Sequence, residues 1–310
     1  MVSFTCKRAG YGQSTKTLFV LCLALSACGR SQATVPEASG PMNLEQAREY
    51  VLGLVNRDRA DAGLEPVERD EVAERAAQRH VEDMARHGFT AHWGTDGSVP
   101  EQRYSEAGGT QMVQENAACF FDAVARDLDN DPVFLPSELA KIELAFISEV
   151  PPNDGHKRNI LKPSHTHLGI GLAKPVGIEQ LCMAQEFVDD YGDYDPIPAE
   201  AKPGQRIVVA GEVHEPLEFG GVGMAHLALP TPLAPERLNE TSTYPIPEPD
   251  VVYFPKGFKT PKEVEFDGSR FRIELELDRG PGLYEISVWA KFPDSGDSLM
   301  SSSIRTITVQ

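Results

Sequence analysis

The chain has 310 residues, room for two domains, and a formal net charge of −18. Its first 27 residues hold Lys7, Arg8 and Lys16 and no acid, so the remainder carries 26 basic against 47 acidic residues, a balance of −21. A surface that acidic repels phosphate backbones and argues against nucleic acid as a partner.

In chain order, residues 1–27 read as a lipoprotein signal peptide. A basic segment precedes the apolar run 18–27, which is too short to span a bilayer and suits an export signal. The run ends in Leu25-Ser26-Ala27-Cys28, which resembles a bacterial lipobox. Lipidation is therefore expected at Cys28, with membrane attachment through that lipid alone; Gly29 in place of Asp points to the outer membrane of a two-membrane cell. Residues 28–42 are small, polar and proline-containing and read as a flexible tether. Of the five cysteines, Cys6 and Cys22 leave with the signal, so the exported body keeps Cys119 and Cys182. An oxidising compartment permits a disulfide between them; two buried thiols are the alternative.

The first domain is expected over 43–189. Asn43 opens a helix with Gln46 placed for a capping box, and Gly63 closes it. Asp70 caps a second helix that stops at Gly88, with His80 on its apolar face as a satisfied core histidine. A third helix is expected at about 115–128 and a fourth after Ser137, ended by Pro151-Pro152. Two strands follow, 168–173 and 181–188; His165 and His167 are expected at the surface. The acidic, Pro- and Gly-rich stretch 190–204 reads as a solvated linker. Beyond it, 205–310 alternates apolar and polar residues in five strands, 206–213, 222–229, 271–277, 283–290 and 304–309. An immunoglobulin-like β-sandwich is the economical reading, with Trp289 in its core rather than on a sugar-binding face.

The first domain carries the pieces NRDRADAGLEPVERD, AAQRHVEDMARHGFTAHWGTDGSVPEQRYSEAG, ENAA, GHKRNIL, HTHLGIGLA and AQEF, in that order. In this it resembles the CAP superfamily, the SCP-like extracellular domains of cysteine-rich secretory, antigen 5 and pathogenesis-related proteins. The resemblance implies an α-β-α sandwich around an antiparallel sheet, hence an α+β chain overall. It also implies a cavity lined by two histidines and two glutamates. His92 matches the first histidine, Glu115 the first glutamate and His156 the second histidine. Glu149 is the second acid, with Glu143 on the same helix face as the fallback.

Two imidazoles and one or two carboxylates can hold a divalent metal such as zinc, pair a general base with an acid, or brace the fold. Hydrolase and phosphate-loop signatures are absent: there is no H-E-x-x-H, G-x-S-x-G or Gly-rich loop. The expectation is a lipid-anchored envelope protein whose cavity binds an apolar small molecule, an envelope polymer or a protein partner. A metal-dependent hydrolase and a structural adaptor with a vestigial cavity are the alternatives.

Overall fold

The computed structural model describes residues 35–37, 40–241, 243–292 and 298–310. Cys28 and the export signal lie outside them.

Helix α1 (Leu44–Asp61) starts in a capping box: Asn43 Oδ1 accepts from Gln46 N, and Gln46 Oε1 accepts from Asn43 N. After strand β1 (Glu68–Arg69), helix α2 (Glu71–His87) begins where Asp70 accepts from the Val72 and Ala73 amides. It ends at Gly88, whose φ of 71° is the left-handed turn that glycine permits. Helix α3 (Pro100–Glu106), strand β2 (Met112–Ala118), helices α4 (Pro136–Ile147) and α5 (Gly155–Ile160), and strands β3 (His167–Ala173) and β4 (Cys182–Asp189) follow.

Among the described residues, these strands form a four-stranded sheet in the order β1-β3-β4-β2, antiparallel except for β1 beside β3. Leu168, Ile170 and Leu172 point to one face, where they meet Ala47 and Val51 of α1 and Leu139 and Phe146 of α4. The alternate positions, Gly169 and Gly171, face α2. A Cβ at Gly169 would sit 2.2 Å from the Ala73 carbonyl carbon, and one at Gly171 2.4 Å from that of Ala77. The H-L-G-I-G-L-A run thus follows the strand period: bulky residues fill one layer, and glycines let the alanine face of α2 lie directly on the other.

Two expectations for this half need correction. Residues 112–118, including Glu115, are a strand and not the start of a helix. Buried residues on both faces of β2 and full pairing with β4 override the short helical pattern. Helix α4 starts at Pro136 after Leu135, without the Ser137 cap, because proline at the first turn needs no N–H partner.

The C-terminal region contains strands β5 (Gly192–Tyr194), β6 (Glu200–Ala201), β7 (Arg206–Val213) and β8 (Glu218–Leu227). Helix α6 (Pro235–Leu238) and strands β9 (Val251–Tyr253), β10 (Glu265–Phe266), β11 (Arg270–Glu276), β12 (Gly282–Lys291) and β13 (Leu299–Val309) complete it. Two sheets, ordered β10-β11-β7-β5 and β6-β13-β12-β8-β9, share one apolar core that includes Val209, Phe271 and Ile273 from the first and Met224, Ile286, Val288 and Ile307 from the second. The stretch expected as a linker, 190–204, supplies strands β5 and β6 instead, paired with β7 and β13.

Strand β11 alternates as expected, with Phe271, Ile273 and Leu275 buried and Arg270, Arg272 and Glu276 exposed. Strands β12 and β13 break the pattern by burying both faces. Their outer face lies against the first half: Ser105 Oγ accepts from Thr306 N at 3.1 Å, and Thr110 O accepts from Ser303 Oγ at 2.5 Å. The segment after β8 also crosses to the first half, where Thr95 O accepts from Leu233 N at 2.8 Å and Leu238 packs among α2 residues.

Candidate functional site

The four residues implied by the resemblance all line one open cleft of about 1000 Å³. His92 follows α2 in a loop that Asp83 ties down by accepting from Thr95 N and Oγ1, each at 2.7 Å. Glu115 sits on β2, Glu149 just past α4, and His156 in the first turn of α5. Glu149, not Glu143, is the second cleft acid.

The four form two pairs. His92 Nδ1 lies 2.9 Å from Glu115 Oε1 and His156 Nδ1 2.6 Å from Glu149 Oε1. In a neutral ring a carboxylate at Nδ1 holds the proton there and leaves the lone pair on Nε2. Glu149 also accepts from the His156 backbone N–H at 2.9 Å, so it serves as the cap that Asp154 does not supply. The His156 ring rests on Phe146, with centroids 4.4 Å apart.

Glu115 is more deeply set than Glu149. Arg103, itself buried, donates to Glu115 Oε2 at 2.8 Å and to the carbonyls of His92 and Ser98. Burial on its own would raise the Glu115 pKa; the nearby His80 and Arg103 and the His92 hydrogen bond outweigh it and hold the carboxyl well below the usual range. His80 is lowered to about 4 by burial and is neutral at pH 7, so Arg103 supplies the lasting countercharge. Arg103 lies within the matching piece that ends in EQRYSEAG, but the resemblance gave it no role, and its place in a short helix that opens with Pro100 gives no hint that it faces β2.

Glu143 is fully buried behind the cleft and accepts from Gln185 Nε2 at 2.6 Å. Burial raises it to about 8. A chain of side-chain contacts runs from there: Gln185 to Asn116 at 3.0 Å, Asn116 to Asn159 at 3.0 Å, Asn159 to His165 at 2.8 Å, and His165 to Asp189 at 2.7 Å. His165 is therefore a buried brace rather than a surface residue. Asn116, Asn159, His165 and Gln185 come from ENAA, GHKRNIL, HTHLGIGLA and AQEF, so the first two pieces both line and support the cleft and the last two support it from behind.

Cys119 and Cys182 are joined, with Cα atoms 4.3 Å apart, linking the end of β2 to the start of β4. Among the described residues, no three His, Cys, Asp or Glu side chains gather closely enough to hold a metal ion. In the cleft the carboxylates orient the imidazoles, which leaves two Nε2 atoms where a zinc site takes three or four protein ligands. The arrangement does not fit such a site.

The model of the CAP family, the cysteine-rich secretory protein family, matches residues 52–175. Over those residues, about two-fifths of the chain, it is similar to that family. The CAP match covers α2, strands β1, β2 and β3 and all four cleft residues, and leaves β4 and the C-terminal sheets outside. An uncharacterised Bacillus subtilis protein, YkwD, is 26% identical over 166 residues, 53% of this chain and 56% of its own length. A crystal structure of an extracellular protein containing a SCP domain, from Bacillus anthracis, is 19% identical with a TM-score of 0.35, covering 49% of this chain and 45% of that one. The chain thus spans only about half the length of these relatives. No helix among the described residues is long and apolar enough to cross a membrane.

Proposed function

We propose that this protein is exported, anchored through lipid on Cys28, and binds a ligand or partner of the cell envelope in its CAP cleft. The observation that carries the reading is the cleft itself, about 1000 Å³ of open space onto which both His–Glu pairs face. Clefts of this size with a few convergent polar groups are where proteins bind small molecules or polymer segments. Each imidazole is fixed by its carboxylate and offers Nε2 as an acceptor to a ligand donor. The C-terminal region, which we place among the immunoglobulin-like sandwiches, supplies the cleft's second wall, and this speaks against a purely scaffolding part for the cavity. Extracellular placement of the Bacillus anthracis relative is in keeping with export.

The test titrates the purified full chain with zinc, a fatty acid, a soluble glycan and a proline-rich peptide in turn, then repeats each titration with His92→Ala and His156→Ala. Saturable binding of a non-metal probe, weakened at least tenfold in His156→Ala, is the expected result. If both variants only lose about 1–3 kcal/mol of stability and nothing binds, the four residues brace the fold. Polymer turnover lost in both variants and in Glu115→Gln would replace binding by hydrolysis. Cys28→Ser is expected to release the protein from the membrane fraction.

A further inference from the structure

Trp289, expected in the sandwich core, is not there. Core residues of β12 are Tyr284, Ile286, Val288 and Ala290; the alternate positions Glu285, Ser287 and Trp289 face outward and line the CAP cleft. The register of β12 shifts on both sides of Trp289, against β13 on one edge and β8 on the other. The two residues of β8 beside Ser287 and Trp289 are Gly223 and Gly221. A Cβ on Gly223 would come 2.7 Å from Trp289 Nε1 and 2.4 Å from Ser287 Oγ, so the absent side chain makes room for the indole. Trp289 Nε1 donates to Ser287 Oγ at 2.8 Å, which fixes the ring and uses its one donor. Tyr244, a second aromatic on this wall, gives its hydroxyl to Glu101 and stands edge-on to Trp93.

We propose that this wall, centred on Trp289, is a subsite for the sugar rings of a neutral glycan chain; the proposal rests on the reading of the cleft as a ligand site. Both aromatics have their polar handles satisfied within the protein, so what they offer is apolar ring surface. Around that surface the cleft mixes apolar residues such as Ile246, Leu299 and Met300 with polar ones such as Gln114, Asn159 and Ser301. A lipid tail would cover the polar groups without bonding them, at a cost for each. A polyanion would meet Glu149 and Glu248 within a chain of net charge −18. A sugar ring has an apolar C–H face for the indole and hydroxyls at its rim for the amides and serines.

Because the protein holds two tryptophans, Trp93→Phe leaves Trp289 as the one indole reporter. The full chain in this background is titrated with cellohexaose and with chitohexaose, both neutral, followed by Trp289 emission and calorimetry. Saturable binding of either glycan is expected. It should weaken at least tenfold in Trp289→Ala and Trp289→Leu and stay within a few-fold in Trp289→Phe. Leucine keeps apolar bulk, so it decides the matter should alanine unfold the protein. Glycan binding that is unchanged in the leucine variant but weakened by His156→Ala would remove the subsite and leave the cleft. Saturation by the fatty acid or the proline-rich peptide, with no glycan bound at millimolar concentration, would also remove the subsite while the ligand reading stands. No binding of any probe would end both.

Discussion

The CAP half and the C-terminal half handle polar side chains in opposite ways. In the CAP half, ionisable groups go inside: Arg59, Glu74, His80, Arg103, Glu115, Glu143, His165, Glu186 and Asp189 are all buried. In the C-terminal half the shared core of the two sheets is apolar except at Arg305, which lies over Tyr194 and donates to the Asp195 carbonyl, and the buried carboxyl Glu285 is on the outer face of β12, which meets the CAP half. A charged residue where an alternating strand should be free to solvent therefore marks the surface on which that sheet docks. The CAP half uses buried polar contacts to set its site, and the sandwich uses apolar burial to hold a wall against it.

The strongest challenge to this contrast is Arg103→Met. Removing the guanidinium leaves the Glu115 carboxylate buried without its main countercharge and frees the carbonyls of His92 and Ser98. The expected loss is about 3–5 kcal/mol by chemical denaturation, since breaking a buried pair costs more than the pair contributes. Adding Glu115→Gln should recover part of it. A loss below about 1 kcal/mol would mean that water already reaches Glu115.

Much of this was legible in the chain. The Asn43 and Asp70 caps, the strand of alternating glycines and the five main sandwich strands follow from local rules of capping and period. Residues that depend on tertiary partners were not. Glu115 is on a strand because β4 pairs with it, and His165 is buried because Asp189 and Asn159 enclose it. Arg103 and Trp289 take their roles from elements distant in sequence. The family resemblance located His92, Glu115, Glu149 and His156, but not that Glu149 caps α5 or that the second wall comes from another region.

Two glycines sharpen the comparison at smaller scale. At Gly171 a new Cβ meets the backbone of α2, which cannot move without shifting the helix off the sheet. Gly171→Ala should cost about 1–3 kcal/mol, the usual range for overpacking a tight contact. At Gly223 the Cβ meets two side-chain ends, Ser287 Oγ and Trp289 Nε1. Gly223→Ala should cost less in a thermal melt yet change Trp289 emission. Equal losses at the two sites would mean that β8 is as tightly stacked as α2 on β3.

The smallest expected effect, and the one that reads the two halves against each other, is the dependence of stability on pH. Glu285 is raised to about 9 by burial, then by the charge and hydrogen bond of Glu101, whose hydroxyl partner is Tyr244. An unfolded glutamate titrates near 4.3. Between those values the folded chain keeps a proton that the unfolded chain releases, so this group's stabilisation is complete below about pH 4 and is lost as pH rises towards 9. Glu115 runs the other way: its pKa is depressed, so its contribution is present above the unfolded pKa and lost as pH falls through the folded one. Glu143 and Glu186, both raised by burial, lose stability in the same direction as Glu285, so the wild-type slope is shared. The difference between wild type and Glu285→Gln isolates the wall residue, because glutamine keeps a donor for Glu101 and does not titrate. The variant should gain about 1–2 kcal/mol at pH 8, a few degrees in Tm, and show a flatter fall between pH 6 and 9. At pH 4 the two proteins should melt alike. A variant less stable than wild type at pH 8 would mean that Glu285 is ionised there and held by a cation, and the sandwich would then meet the CAP half through charge rather than through a shared proton.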